Sequence, residues 1–185
     1  VFSNFEKVRQ FHEKFQLPVG NGPQEVPAGF QPEDKLIILT ELKFIERMIQ
    51  RRRQDKSALD DIRWGRIQMM LEELREFTQA DTLEEQADSL VDLVYFALGT
   101  AVMMGLPWDQ LFDEVHRANM EKELISSKEE STRLNKLDVK KPEGWQAPDI
   151  KGVLEAAKGL TSANLQAAID KARGGPPPIP FRGYA

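Results

Sequence analysis

The 185-residue sequence has no cysteine and only two histidines. Without cysteine there are no disulfides and no thiolate metal sites, and the composition suits a reducing cytoplasm. The histidines, His12 and His116, follow Arg9 and Asp113 by three positions, so neither completes the Glu-x-x-His pair that di-iron helical bundles use. No run of about 20 apolar residues is free of charge, so no transmembrane helix is expected. The stretch from Val1 shows no signal-peptide pattern, and the expected compartment is the cytoplasm. Positive charge is not in excess: 25 Lys and Arg face 30 Asp and Glu, a net charge of −5. That balance offers no global field for nucleic acid or an anionic membrane, with Arg51-Arg52-Arg53 as a local exception. There is no internal repeat and no alternating strand followed by a hairpin turn.

What the sequence does have is helical periodicity. Asn4 to Phe15 carries Phe5, Val8, Phe11 and Phe15 at helical spacing. The Pro/Gly-rich stretch Gln16 to Pro32 marks a loop. Glu33 to Arg53 returns to helical spacing through Leu36, Leu39, Leu42, Ile45 and Ile49, and Asp60 to Gln79 forms a third helix. Thr82 and Glu85 make a capping-box pattern that opens a fourth helix, reaching to about Met104. Gly105-Leu106-Pro107 breaks it, and a fifth helix follows from Pro107 to about Leu124. Ser126 to Pro148 is polar and irregular. Two short helices are expected at Asp149 to Lys158 and Ser162 to Ala172. The reading is an all-α antiparallel helical bundle, one domain over 1–172, with a Pro/Gly-rich tail over 173–185.

The acidic residues carry the chemistry. On the third helix Trp64, Ile67, Met70, Leu71, Leu74 and Phe77 share one side, while Glu72, Glu73 and Glu76 gather on another. Taken alone, that is a solvated acidic face. The fourth helix alters the balance. Leu90, Val91, Leu93, Val94, Phe96, Ala97 and Leu98 surround Asp88 and Asp92, so the helix reads as buried. A buried, unpaired carboxylate costs several kcal/mol, and this helix holds no Lys or Arg to relieve it. The short loop at Ala80-Asp81-Thr82 makes the two helices antiparallel neighbours. Their acids can then converge, and Mg²⁺ or Mn²⁺ fits an oxygen-only site with room for waters and phosphate oxygens.

On the fifth helix Trp108, Leu111, Phe112 and Val115 form a core stripe, and Asn119 and Lys122 lie one turn apart. A cation and an amide beside such a site suit a polyphosphate; an ordinary exposed helix end accounts for them equally. In Lys140-Lys141-Pro142-Glu143-Gly144-Trp145 the loop offers two cations and an indole. It can serve as a lid or base-stacking platform, or Trp145 can simply plug the core.

The ordered segments MLEELRE, EEQADSLVDLVYFALG, EVHRANMEK and KPEGW together resemble the all-α nucleoside-triphosphate pyrophosphohydrolases, the MazG-like superfamily that includes dimeric dUTPases and phosphoribosyl-ATP pyrophosphatase. The resemblance covers about 64–154. It implies a Glu-Glu-x-x-Glu element at Glu72, Glu73 and Glu76, and a Glu-x-x-Asp element on the next helix. Glu85 and Asp88 fit the latter literally. Registering on Gly99 and the EVHRAN segment instead puts the aspartate at Asp92 and the glutamate on Ser89, which is no carboxylate; Asp88 then stands in for it. The resemblance implies Glu73, Glu76, Asp88 and Asp92 as metal ligands, and Glu72 and Glu73 as catalytic acids. It implies Asn119 and Lys122 as substrate contacts, with Lys141 and Trp145 as further candidates. The implied activity is Mg²⁺-dependent cleavage of a nucleoside triphosphate, dUTP first, to monophosphate and pyrophosphate by a homodimer. Two alternatives stand beside it: a phosphoribosyl-ATP pyrophosphatase-like enzyme, and a non-catalytic helical cation-binding or interaction protein. The segment 34–61 has no assigned role.

Overall fold

Ser3 opens the first helix. Its hydroxyl accepts from the Glu6 backbone N–H at 3.2 Å, and the Glu6 carboxylate takes the Ser3 N–H at 2.7 Å, a reciprocal cap that starts α1, Asn4–Lys14. A computed structural model describes residues 2–27, 29, 31–53, 61–131 and 138–158. Its remaining helices are α2, Pro32–Arg53; α3, Ile62–Gln79; α4, Leu83–Met103; α5, Trp108–Met120; and α6, over 150–158. The fold is all-α, with one two-stranded ladder of β1, Glu123–Leu124, and β2, Val139–Lys140. The chain divides into two compact units: Val19–Leu106, and Val1–Pro18 with Pro107–Ala185. The expected helix at Ser162 to Ala172 and the tail 173–185 lie outside the described residues.

In the unit Val19–Leu106, α3 packs against both α2 and α4. Two arginine–glycine crossings set these contacts. The Arg53 guanidinium of α2 lies over Gly65 of α3, where an added Cβ would come within 2.9 Å of it. Arg53 donates Nε to Asp61 Oδ2 at 2.8 Å and Nη1 to Gln68 Oε1 at 2.7 Å, so the buried Asp61 is paired. Arg66 of α3 repeats the device on α4, where a Cβ at Gly99 would sit 2.9 Å from its Nη2. Arg66 donates to Thr100 Oγ1 at 2.9 Å and to the Phe96 carbonyl. Each crossing lets an arginine stem cover apolar surface while its head is satisfied.

The α3–α4 turn is built as the sequence suggests. Thr82 caps α4 and Glu85 completes the box, taking the Asp81 and Thr82 N–H groups at 2.9 and 3.2 Å. Lys35 of α2 ties the same turn down, donating to the Gln79 carbonyl at 3.1 Å and meeting Asp81 at 2.8 Å. At the far end of α4, Gly105 adopts φ +61° and ends the helix in the left-handed conformation that glycine accepts without a Cβ penalty.

The expected apolar stripes need correction. On α4, Leu90, Val91, Val94 and Leu98 are exposed, as are Asp88 and Asp92, and only Ser89 and Ala101 are buried. The helix is not the buried element its composition suggested, because α3 is its main neighbour and covers one side alone. On α3, Trp64 and Leu74 face outward while Gly65 and Glu73 are buried. On α2, Leu36 and Ile45 are exposed and Ile49 is buried.

In the other unit α1 packs against α5. Here too the stripe is shifted: Phe5 and Val8 are exposed, and Lys7 is buried through its ion pair with Asp113 and a 3.2 Å bond to Asn4. α5 ends at Met120, short of the expected Leu124. Continuing the helix would send the Lys122 N–H to the Ala118 carbonyl. The Trp145 indole N–H takes that carbonyl at 2.7 Å, and the Lys122 N–H turns to Asn119 at 3.2 Å. The chain then enters β1, pairing Glu123 with Lys140 and Leu124 with Val139. Among the described residues no single helix is long and apolar enough to cross a membrane.

Glu114 clamps this unit. Its carboxylate accepts from Arg117 and from the Asp149 N–H at 2.9 Å, just ahead of α6. The Arg117 bonds, then the Asp149 N–H, lower its pKa from 4.5 to about 2. Folding therefore favours the ionised form. Its contribution is complete above pH 4.5 and is lost as pH falls toward 2. Thermal unfolding across that range should show a drop in Tm that is blunted in Glu114→Gln.

Candidate active site

Glu72, Glu73 and Glu76 project from α3, and Asp88 and Asp92 from α4, its antiparallel neighbour across the capped turn. The five do not share one environment. Glu73 is 8% exposed, whereas Glu72 and Glu76 are about half exposed and both aspartates face outward. Withdrawal from water raises the Glu73 pKa, and the charges of Glu76, Asp92, Glu72 and Asp88 raise it further. All four acids therefore lie within electrostatic reach of Glu73. The buried carboxylate is Glu73, where the sequence pointed to Asp88 and Asp92.

Among the described residues neither a cation nor a hydrogen-bond donor meets the Glu73 carboxylate. A buried acid ringed by four others suits a hard divalent cation in donor type and charge. The described side chains do not hold a ligating arrangement as placed: no three Asp, Glu or His among them stand close enough to share one ion. Beside the cluster lies an open cleft of about 350 Å³, lined by Glu76, Gln79, Asp81, Glu85, Asp88 and Ser89. Glu85 is engaged there as the α4 cap, which lowers its pKa through the Asp81 and Thr82 N–H groups. Ser89 is buried and donates to the Glu85 carbonyl at 2.8 Å.

One charged neighbour of the acids escaped the sequence reading. Arg75, inside the Glu-Glu-x-x-Glu run, donates Nε to Glu46 Oε1 of α2 at 2.9 Å and Nη1 to Gln79 at 2.8 Å. Its Nη2 lies 3.4 Å from Glu76 and 3.8 Å from Glu72. The available signal was an arginine three residues after one site acid and one before another, on a helix whose partner carries a glutamate at the facing level.

The four substrate-contact candidates belong to the other unit. Asn119 closes the last turn of α5, and Lys122 begins the turn into β1. The Lys141 ammonium sits 4.5 Å above the Trp145 ring. Trp145 is thereby anchored by its N–H and covered on one face. His116, packed near Lys7 and Asp113, has its pKa lowered first by burial and then by Lys7, in keeping with a structural role.

The phosphoribosyl-ATP pyrophosphohydrolase family model matches residues 42–119. A structure from Exiguobacterium sp. 255-15, assigned provisionally as an NTP pyrophosphohydrolase, is similar at 26% identity with a TM-score of 0.50. The similarity covers 86% of this chain and 97% of that one. No curated protein matches the sequence significantly. Both similarities are to pyrophosphohydrolases, the family model over part of the chain and the solved structure over most of it. The family-model match takes in all five acids, Arg75, Glu46 and Asn119, and stops before Lys122, Lys141 and Trp145. It also starts inside α2, so most of the segment 34–61, which has no assigned role, falls within the matched region.

Since the folded chain disfavours the ionised Glu73, that charge costs stability above its ordinary pKa of 4.5, and the cost vanishes at lower pH. Glu73→Gln should therefore raise Tm at pH 7 without divalent cations, by a few degrees, and lose the advantage below pH 4.5. An unchanged or lower Tm at pH 7 would contradict this account of the buried acid.

Proposed function

We propose that this protein is a Mg²⁺-dependent hydrolase that cleaves a nucleoside triphosphate between the α and β phosphorus, releasing monophosphate and pyrophosphate. The observation that supports this most is the buried Glu73 carboxylate, ringed by Glu72, Glu76, Asp88 and Asp92 and lacking a cationic partner among the described residues. In a superfamily of pyrophosphohydrolases, such a charge deficit is best met by the cation that accompanies a polyphosphate. Mg²⁺, or Mn²⁺ in its place, would supply charge neutralisation for the phosphates and a more acidic water.

Glu73, Glu76, Asp88 and Asp92 would hold that cation. Glu72, half exposed at the edge of the cluster, would accept a proton from the attacking water and orient it toward phosphorus. Lys122 would hold phosphate as a point charge, and Asn119 would orient the sugar or a phosphate by hydrogen bonding. Lys141 and Trp145 would serve as one preassembled element, in which a base reaches the face under Lys141 only after displacing the ammonium.

A deoxynucleotide is the proposed substrate class, with dUTP tested first and purine deoxynucleotides second. The family match also favours testing phosphoribosyl-ATP as a second reading. A panel of these nucleotides with Mg²⁺ or Mn²⁺ should give monophosphate and pyrophosphate from a preferred member. A nucleoside diphosphate product would refute the proposed bond, and no turnover on any member would favour a cation-binding interaction protein. Asp92→Asn should lower turnover by roughly 100-fold or more while leaving the helical circular dichroism intact.

The active form is proposed to be a homodimer closed over α4. Val91, Tyr95 and Val102 are 65, 71 and 79% exposed on one helix of the acidic unit, apolar surface of a kind that marks an interface. Light scattering should give twice the 21.1 kDa chain mass, and Tyr95→Glu should shift it toward one. A monomer that turns over at full rate would exclude the dimer.

A further inference from the structure

A cleft of about 540 Å³ opens between α2 and α3. From α2 it is lined by Phe44, Ile45, Met48 and Ile49, a spacing that puts all four on one helical face. Trp64 and Ile67 line it from the first two turns of α3, whereas the site acids stand on later turns of that helix. Ile49 is buried, but Phe44 and Trp64 are each 53% exposed, and Ile45 and Met48 are exposed as well. The volume falls within the roughly 300–1,000 Å³ of small-molecule sites, and the lining is of the same apolar and aromatic kind.

Charged lining is confined to Arg52 and Arg53 at the end of α2 and Asp61 just ahead of α3. Arg53 is committed, donating to Asp61 at 2.8 Å and to Gln68 at 2.7 Å, so that pair cancels its own charge. Arg52 is exposed and makes no hydrogen bond or ion pair among the described residues. The cleft thus joins apolar walls to one uncompensated positive charge. We infer that it binds a fused-ring aromatic monoanion, with the rings against Phe44, Met48 and Trp64 and the anionic group on Arg52. This inference is independent of the hydrolase reading. A nucleoside triphosphate matches the cleft poorly: several negative charges would meet one cation, and the hydrogen-bonding edge of a base would lie against apolar walls with its polar groups unmet. A homodimer closed over α4 leaves the cleft open.

Charge and rings can be tested separately. Anilinonaphthalene sulfonate and phenylnaphthylamine share one ring skeleton and differ by the sulfonate. The native chain should bind the sulfonate about three- to fivefold more tightly, the gain expected of an ion pair at a solvent-open rim. Arg52→Gln should remove that preference and leave the affinity for the neutral dye unchanged. Arg51→Gln removes an equal charge from a neighbour that does not line the cleft, and should keep the preference. Met48→Glu sets a carboxylate among the apolar residues and should weaken both dyes by roughly tenfold or more.

Both dyes are titrated by fluorescence into the full chain without nucleotide or divalent cation, and the bound position is read from the methionine methyl resonances. The sulfonate dye should shift Met48 and leave Met103 and Met104, exposed at the end of α4, unmoved. That pattern, together with a preference lost in Arg52→Gln and kept in Arg51→Gln, supports the inference. Equal affinity for the two dyes, a preference that survives Arg52→Gln, or shifts confined to Met103 and Met104 overturns it. Failure of both dyes to bind at micromolar concentration does the same. A fall in light-scattering mass on adding dye would place a second copy of the chain in the cleft and also overturns it. Arg52 is exposed and unpaired among the described residues, so its replacement leaves the fold intact; the methyl map of the native chain decides the location without any variant.

Discussion

Like-charge repulsion within one helical hairpin is the constraint to which the rest of this unit answers. Glu73 of α3 is 8% exposed and lies within reach of the charges of four other acids on α3 and α4. Hydrophobic burial alone would not hold such a hairpin shut, since α4 presents much of its apolar surface to solvent. The closure comes from polar fastenings placed around the acids. Thr82 and Glu85 cap the turn, Arg66 grips the α4 backbone across Gly99, and Arg75 ties the acidic helix back to α2. Each fastening satisfies backbone or charged groups that would otherwise be stranded.

The three arginines show how one side-chain type serves different ends. Arg53 neutralises the buried Asp61 and lies across Gly65. Arg66 addresses neutral acceptors, a hydroxyl, a carbonyl and the Met69 sulfur, and so helps join α3 to α4 without cancelling any of the acidic charge. Arg75 stands beside Glu72 and Glu76, bonding Glu76 at 3.4 Å and making its shorter bonds to Glu46 and Gln79 at 2.9 and 2.8 Å. The acidic character of the cluster is preserved by where the cations are spent as much as by the carboxylates themselves.

Much of the architecture was legible in the sequence. The capping box at Thr82, the break at Gly105 and the acids on consecutive helices all follow from local rules, which depend on residues a few positions apart. The errors lie one level higher. Reading a helical wheel assumes that every apolar side finds cover, and α4 has one main neighbour, so Leu90, Val91 and Val94 stay outside. The same assumption assigned burial to Asp88 and Asp92 and missed Glu73. The buried Lys7 was invisible because its partner, Asp113, lies a hundred residues away in the chain. The end of α5 was misplaced for a related reason: the group that ends it, the Trp145 indole, arrives from 27 residues downstream. Contacts between distant segments decide these points, and no local pattern encodes them.

The indole of Trp145 ties two readings of the downstream loop into one object. Its N–H terminates a helix while its face carries the ammonium of Lys141. A change at position 145 therefore relocates a positive charge that it does not itself bear, and loosens the helix end next to Asn119 as well. Loss of function on replacing this tryptophan would thus not by itself identify a stacking platform. Separating the three effects requires a residue that keeps the donor and surrenders the flat surface, or the converse.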